Sequence, residues 1–399
     1  MKLRTDKKLI GFTIFIVILC LLNLLINNIN GKFSVPDFRV YYMAAQDFLT
    51  GGNVYFIAFG EASGFYKYSP LTLLFFIPSS FLPIKAAAIL HLAILGFSFW
   101  YSFILVRKIF NTSFFMNMKK EGWLLTLAAI STMIFLVKEL YLGNVNILLI
   151  MLLLLSLNFL LEGKDWKGAL LLALVILTKP YYLLLIIPLL FRKRIKALIM
   201  LFAIIIAGLL IPALFTGFQR NLELHTEWFK TMIGHGADFP SLNSIDYLLR
   251  LYLFTGLPGY SEYLIIIAGA LFCAVFVARN LRNTSHVDAF AFEWFIIMAL
   301  LPSITKNDTE HFMASIPIIT FIIYYISCYR KYWLIPFMFI LVFFFGANSQ
   351  DILGADLSKK LFYMGLIGLS NVLLIVFSFI LFMDYRKKER STNFLRGTS

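Results

Sequence analysis

The chain has 399 residues, 60% of them apolar and only 14% charged, with a mean hydropathy of +0.84. Those figures exclude an ordinary water-soluble domain, for which about 45–50% apolar and about 25% charged is typical, and they exclude disorder. Lys+Arg 35 against Asp+Glu 21 leaves +14, which in a soluble protein would suggest a nucleic-acid binder; here the charges lie between long apolar runs, so a polytopic membrane protein with no nucleic-acid partner is expected.

Crossing about 30 Å of hydrocarbon takes roughly 20 mostly apolar residues. In chain order the runs are 9–29, 86–107, 122–138, 143–161, 195–215, 260–279, 287–303, 309–327, 332–346 and 360–383. The first follows Lys2, Arg4, Lys7 and Lys8 like a signal peptide, but Asn23, Asn27, Asn28 and Asn30 stand where small cleavage-site residues belong, so a retained anchor helix is expected. Two stretches are irregular. Residues 70–82 are short and broken by Pro78 and Pro83, and 168–191 reads as two half-length pieces meeting at Lys179-Pro180. Such interruptions mark backbone that lines a cavity rather than lipid. The expected fold is a single all-α polytopic bundle over 1–399, of about 10–13 spans.

Basic clusters such as Arg107-Lys108, Arg192-Lys193-Arg194 and Arg386-Lys387-Lys388 alternate with acid-bearing connections. The positive-inside rule then places both termini in the cytoplasm and two loops, 30–69 and 216–259, outside. The compact loops suggest a bacterial plasma membrane. Cys20, Cys273 and Cys328 have no paired spacing, so neither a disulfide framework nor a zinc motif is expected, and no metal or cofactor is called for.

In the first loop, Ser34 and Pro36 signal a helix start and Gly51-Gly52 a stop. Phe38, Tyr41, Tyr42, Ala45, Phe48 and Leu49 recur between them at helical spacing, predicting a short amphipathic helix along the outer membrane surface. Asp37 falls in its first turn, where an acid either serves the helix dipole or acts as a catalytic carboxylate. Tyr66-Lys67-Tyr68-Ser69-Pro70 enters the short apolar stretch as an interface belt or a ligand contact. Asn144 and Asn146 open a span as caps or as substrate contacts. Lys179 would stand at membrane depth, where a charge faces a watery cavity or an anion unless its stem snorkels. Thr305 to Phe312 gathers Lys306, Asp308, Glu310 and His311 into one connection, of which His311 is the most interesting member. His91 and Glu293 sit inside spans and are weaker candidates; His225, Glu227, His235 and Asp238 in the second loop lack metal-ligand spacing.

The order Asp37-Phe38-Arg39-Val40-Tyr41-Tyr42, then Tyr68-Ser69-Pro70, Gly143-Asn144-Val145-Asn146, Thr178-Lys179-Pro180 and Ser303 to His311 resembles glycosyltransferase family 87 over about residues 10–320. These are polytopic enzymes of GT-C type, some of them polyprenol-phosphate-mannose-dependent α-mannosyltransferases. The family usually shows Tyr-Pro-Pro where this chain has Tyr68-Ser69-Pro70, Gly-Gln where it has Gly143-Asn144, and a His-rich segment that is here His311 alone. The resemblance implies an inverting transfer of a hexose, mannose first, from a polyprenyl-phosphate sugar to a lipid or glycan hydroxyl at the outer face. Asp37 would be the general base, and Lys179, with Arg39 or Lys67, the partner of the leaving phosphate. Asn144, Asn146 and His311 would contact sugar or phosphate, and Tyr41 and Tyr68 could stack on sugar rings. Two other classes fit the same features: a flippase or transporter of lipid-linked sugars, and a polymerase or ligase using Arg220, His225, His235 and Arg250 of the second loop.

Overall fold

A computed structural model describes residues 7–31, 33–59, 64–114, 121–235, 241–254, 256–257, 260–283, 287–346 and 349–397. Backbone groups in lipid find partners only within helices or closed barrels. Among the described residues the chain uses helices throughout, with one isolated bridge, Ala58 to Phe65.

The elements in order are α1 (Lys7–Ile29), α2 (Pro36–Leu49), α3 (Pro70–Ser80), α4 (Ile84–Ser113), α5 (Glu121–Leu142), α6 (Asn146–Leu161), α7 (Asp165–Thr178), a 3₁₀ turn (Pro180–Leu185) and α8 (Ile186–Phe191). Then come α9 (Ile195–Leu210), α10 (Ala213–Thr216), α11 (Phe218–His235), α12 (Ile245–Tyr252), α13 (Ser261–Asn283), α14 (Val287–Ile304) and a second 3₁₀ turn (Thr309–Ser315). The chain closes with α15 (Ile316–Cys328), a short 3₁₀ turn (Tyr332–Leu334), α16 (Ile335–Gly346), α17 (Gln350–Leu353), α18 (Ala355–Tyr363) and α19 (Leu366–Gly397). Eight helices of the described residues are long and apolar enough to cross a membrane. Several runs that read as simple spans turn out otherwise. Those at 143–161 and 332–346 form shorter helices, starting at Asn146 and Tyr332. The run at 309–327 begins as 3₁₀ helix, and the one at 360–383 breaks at Gly365 (φ +65), whose missing Cβ would meet Leu242 O at 2.8 Å. The 122–138 run continues to Leu142, carrying Lys138 and Glu139 into the helix.

Polar contacts sort the helix ends into two groups. At one end Lys108 pairs with Glu162 (2.6 Å), Asp165 with Arg194 (3.5 Å), Arg192 with Glu293 (2.8 Å) and Asp288 with Arg386 (3.1 Å). The Asp165–Arg194 pair joins the start of α7 to the start of α9, so the chain runs out along α7 and back along α8, with Lys179 at the apex. At the other end lie α2, the 65–69 segment, the 143–146 turn and Asp308 to His311. There α3 does not descend: both its C-terminal end and the residues just beyond it return to α2, where Gln46 donates to Ser80 O (3.4 Å) and Tyr42 to Leu82 O (2.8 Å). Helix α4 therefore makes the only crossing of the 70–107 stretch.

Helix α2 matches its predicted bounds, yet it is enclosed by protein. Phe38, Val40, Tyr41, Tyr42, Ala44, Ala45 and Phe48 are all buried, leaving Leu49 outside. Phe38 and Tyr41 meet Phe76 of α3 edge-on and tilted, at 6.5 and 4.8 Å between centroids. The partly polar helix α11 lies over the same end, with Trp228 Nε1 donating to Lys67 O (3.2 Å) and Phe218, Leu222, Phe229 and Ile233 left exposed.

Candidate active site

The N-terminus of α2 is fixed by a close approach. Val35, at the helix's capping position, has φ 38, and Gly143 opposite has φ +68. A Cβ on Gly143 would fall 2.8 Å from Phe38 Cβ and 3.2 Å from Val35 Cβ, so only glycine lets the 143–146 turn reach Asp37. Buried His91 steadies this contact: its Nε2 meets Gly143 O at 2.9 Å and its ring stacks on Phe38 at 4.6 Å. It is a support for the turn and lies behind it.

Asn144 faces Asp37. Its Nδ2 donates to Asp37 Oδ2 at 2.7 Å, while its Oδ1 accepts from Val145 N–H (2.7 Å) and lies within hydrogen-bond reach of the hydroxyls of Tyr41 (3.2 Å) and Tyr68 (3.0 Å). Three donors around one oxygen leave the amide a single orientation, with its N–H toward the carboxylate. Asp37 itself is half-buried at the edge of the cluster. Burial, then the nearby Glu310, pushes its carboxyl up to about 6 against the opposing pull of Lys179 and Lys67. Lys67 is held below the usual lysine range by burial, with Asp37 and Asp308 opposing.

Buried Lys179, in extended backbone between α7 and Pro180, completes the site. Its Nζ donates to Asn146 Oδ1, meets His311 Nε2 at 2.8 Å and stands 5.6 Å over the Tyr68 ring. His311 Nδ1 is 3.2 Å from Asp308 O, which assigns the Nδ1–H tautomer and leaves Nε2 as the acceptor for the ammonium. The Tyr68 side chain thus touches both halves of the cluster, its hydroxyl at Asn144 and its face under Lys179.

Two acids complete the surroundings. Glu139, fully buried, accepts from Asn146 Nδ2 and from Ile147 N–H, each at 3.0 Å, so it both orients Asn146 and caps α6. Neither asparagine is the cap that spacing allowed. Glu310, also fully buried, pairs with Lys138 Nζ at 2.8 Å, and the same ammonium donates to Thr309 Oγ1 at 2.8 Å. In the sequence Glu139 stands one residue past the apolar run 122–138, and its signal is the Lys138-Glu139 pair ahead of Asn144.

Of the residues singled out from sequence, Asp37, Tyr41, Tyr68, Asn144, Asn146, Lys179 and His311 come together. Arg39 does not: it is exposed on α2, and its side chain makes no hydrogen bond or ion pair among the described residues. Glu293 lies at the opposite end, gripped by Arg192 through Nε (2.9 Å) and Nη2 (2.8 Å). In the second loop Arg220 pairs with Glu223 and Glu227, Arg250 with Asp246, and His225 with Leu209 O. Asp238 and the side chain of His235 fall outside the described residues. Among the described residues no three His, Cys, Asp or Glu side chains gather in a group able to hold a metal ion.

The model of glycosyltransferase family 87 matches residues 65–303, more than half of the chain. The protein belongs to glycosyltransferase family 87. It is a membrane glycosyltransferase, with Tyr68, Asn144, Asn146 and Lys179 inside the matched region and Asp37 and His311 outside it. A search of curated proteins finds no match. For this family 87 enzyme the placement of Asp37 and His311 beside matched residues therefore rests on the tertiary structure.

Proposed function

We propose that this enzyme transfers a hexose, with mannose the first choice, from a polyprenyl-phosphate sugar to a hydroxyl of a lipid or glycan acceptor, with inversion, at the outer face of the membrane. The observation that carries the reading is the pairing of a partly accessible carboxylate, Asp37, with a buried ammonium, Lys179, across a shared tyrosine and two oriented amides.

In this mechanism Asp37 takes the proton of the acceptor hydroxyl as that oxygen forms its bond to the anomeric carbon. The bond from that carbon to the phosphate oxygen breaks, and polyprenyl phosphate leaves with the electron pair. One displacement turns a β-linked donor into an α-glycoside. A carboxyl titrating near 6 is mostly ionised at neutral pH and is a stronger base than an ordinary carboxylate; such a base contributes about 10²–10⁴-fold. Lys179, oriented by Asn146 and His311, has a remaining N–H with which to meet the developing phosphate charge, an interaction strengthened where water is excluded. Tyr41 and Tyr68, mostly buried, serve by fixing Asn144. The outer-face assignment is supported by the basic clusters, which collect at the end of the bundle away from Asp37. The polymerase or ligase alternative loses support because the arginines and the described histidine of the second loop are engaged by neighbouring groups, Arg220 by Glu223 and Glu227, Arg250 by Asp246, and His225 by Leu209 O of α9.

The test is transfer of radiolabelled mannose from polyprenyl-phosphate-mannose to endogenous glycolipid in membranes, wild type beside Asp37→Asn at equal expression. Product from the wild type alone is the expected result. Product from both would remove Asp37 from the chemistry, and product from neither would remove this donor.

A further inference from the structure

A groove of about 440 Å³ lies between α1 and α5 against the second 3₁₀ turn, within the roughly 300–1,000 Å³ of small-molecule sites. Its floor is Ile134, Phe135 and Val137, and its polar members are Asn27, Lys138, Tyr141 and Thr309. Two of these belong to the segments that build the active site: Tyr141 precedes Asn144 by three residues and Thr309 precedes His311 by two. On the α1 side the groove borders the bilayer, since Leu21, Leu22, Leu25, Ile26 and Ile29 are all exposed.

Asn27, near the end of α1, is only partly engaged by its own helix. Asn27 Nδ2 donates to Asn23 Oδ1 at 3.1 Å, leaving the Asn27 carbonyl and a second N–H without a partner among the described residues, beside the apolar residues that α1 turns to the bilayer. Amides are carried in such helices where they meet polar partners. Across the groove, Tyr141 is 39% exposed and the Lys138 side chain likewise 39%. The one charge facing the groove is already matched, because Lys138 is 2.8 Å from Glu310. An anionic headgroup therefore gains little here, whereas hydroxyls can both donate to and accept from the amide, the phenol and the alcohol, and can accept from the ammonium.

We propose that this groove is the acceptor site, and that the acceptor is a lipid with an uncharged polyhydroxy headgroup that enters from the bilayer beside α1. The inference deepens the transferase reading and rests on it for the word acceptor; occupancy by such a lipid stands independently. The probe is decyl glucoside carrying a diazirine, photolysed with the full-length protein in phosphatidylcholine nanodiscs, and the labelled positions are mapped by peptide mass. Labelling is expected within residues 20–27 and 134–141, reduced about tenfold by excess decyl glucoside and unaffected by phosphatidic acid. Asn27→Leu with Tyr141→Phe, which keeps α1 apolar and insertable, is expected to cut the labelling at least fivefold. Labelling elsewhere, labelling untouched by the double variant, or competition by phosphatidic acid equal to that by glucoside would each overturn the proposal. In the transfer assay with decyl glycoside as acceptor, the same variant is expected to raise the acceptor KM about tenfold. Transfer with an unchanged KM would sink the groove and leave the transferase standing; a labelled groove in a protein that transfers nothing would do the reverse.

Discussion

Asn144→Asp puts a second carboxylate against Asp37, and the geometry fixes which of the two takes up the extra proton. The atom replaced sits 2.7 Å from Asp37 Oδ2, while the other oxygen keeps its three donors from Val145, Tyr41 and Tyr68. Those donors hold the new carboxylate ionised, so the proton goes to Asp37. Two unit charges about 4 Å apart repel by about 4 kcal/mol at an effective dielectric of about 20, which corresponds to about three pKa units. Rotation of the new side chain relieves part of this. In the wild type, transfer should fall as pH drops through about 6, where Asp37 becomes protonated; in the variant that limb should move up by about two to three pH units. The assay is initial transfer rate at subsaturating acceptor between pH 5 and 9, in membranes with matched expression. Activity restored at high pH distinguishes a displaced titration from a broken fold. A limb that stays near 6 in a folded, active variant would refute either the Asn144–Asp37 contact or the role of Asp37 as base.

Other outcomes follow from the same geometry. Asp37→Asn should lose about 10²–10⁴-fold in rate without melting lower at pH 7. The folded carboxyl titrates above its ordinary value, so its contribution to stability is largest in acid and is lost as pH rises through about 6, a loss the amide does not share. Lys179→Gln should lower the affinity for a short polyprenyl phosphate at least tenfold, measured by calorimetry, because a buried amide cannot replace the ammonium facing phosphate. Gly143→Ala should cost about 1–3 kcal/mol by thermal unfolding and reduce transfer, through positive φ and the 2.8 Å approach to Phe38. Glu293→Gln should destabilise by about 3–5 kcal/mol, since Arg192 is left buried without its charge partner, yet the polyprenyl phosphate affinity of the surviving folded protein should stay at the wild-type value.

The membrane class, the α2 helix, the hairpin at Lys179 and most of the site were legible in the order of residues. Bilayer thickness and the insolubility of unpaired backbone leave strong one-dimensional marks: long apolar runs, basic punctuation, and a lysine or proline where a run is interrupted. Asp37, Asn144 and Lys179 stood out for the same reason, as polar groups beside or within apolar sequence. What those marks cannot carry is which side chains face one another across a hundred residues. Asp37 meets Asn144 only because Gly143 admits the approach, and Lys179 meets His311 only because the end of α7 and the start of the second 3₁₀ turn lie at one level. Glu139 and Lys138, hidden at the end of an apolar run, gain their meaning from Asn146 and Glu310, whereas Arg39, two residues from Asp37, turns away because successive helix positions point in different directions. Hydropathy is a property of a segment and is written locally. A cluster of charges is a property of distances between segments, and only packing sets those.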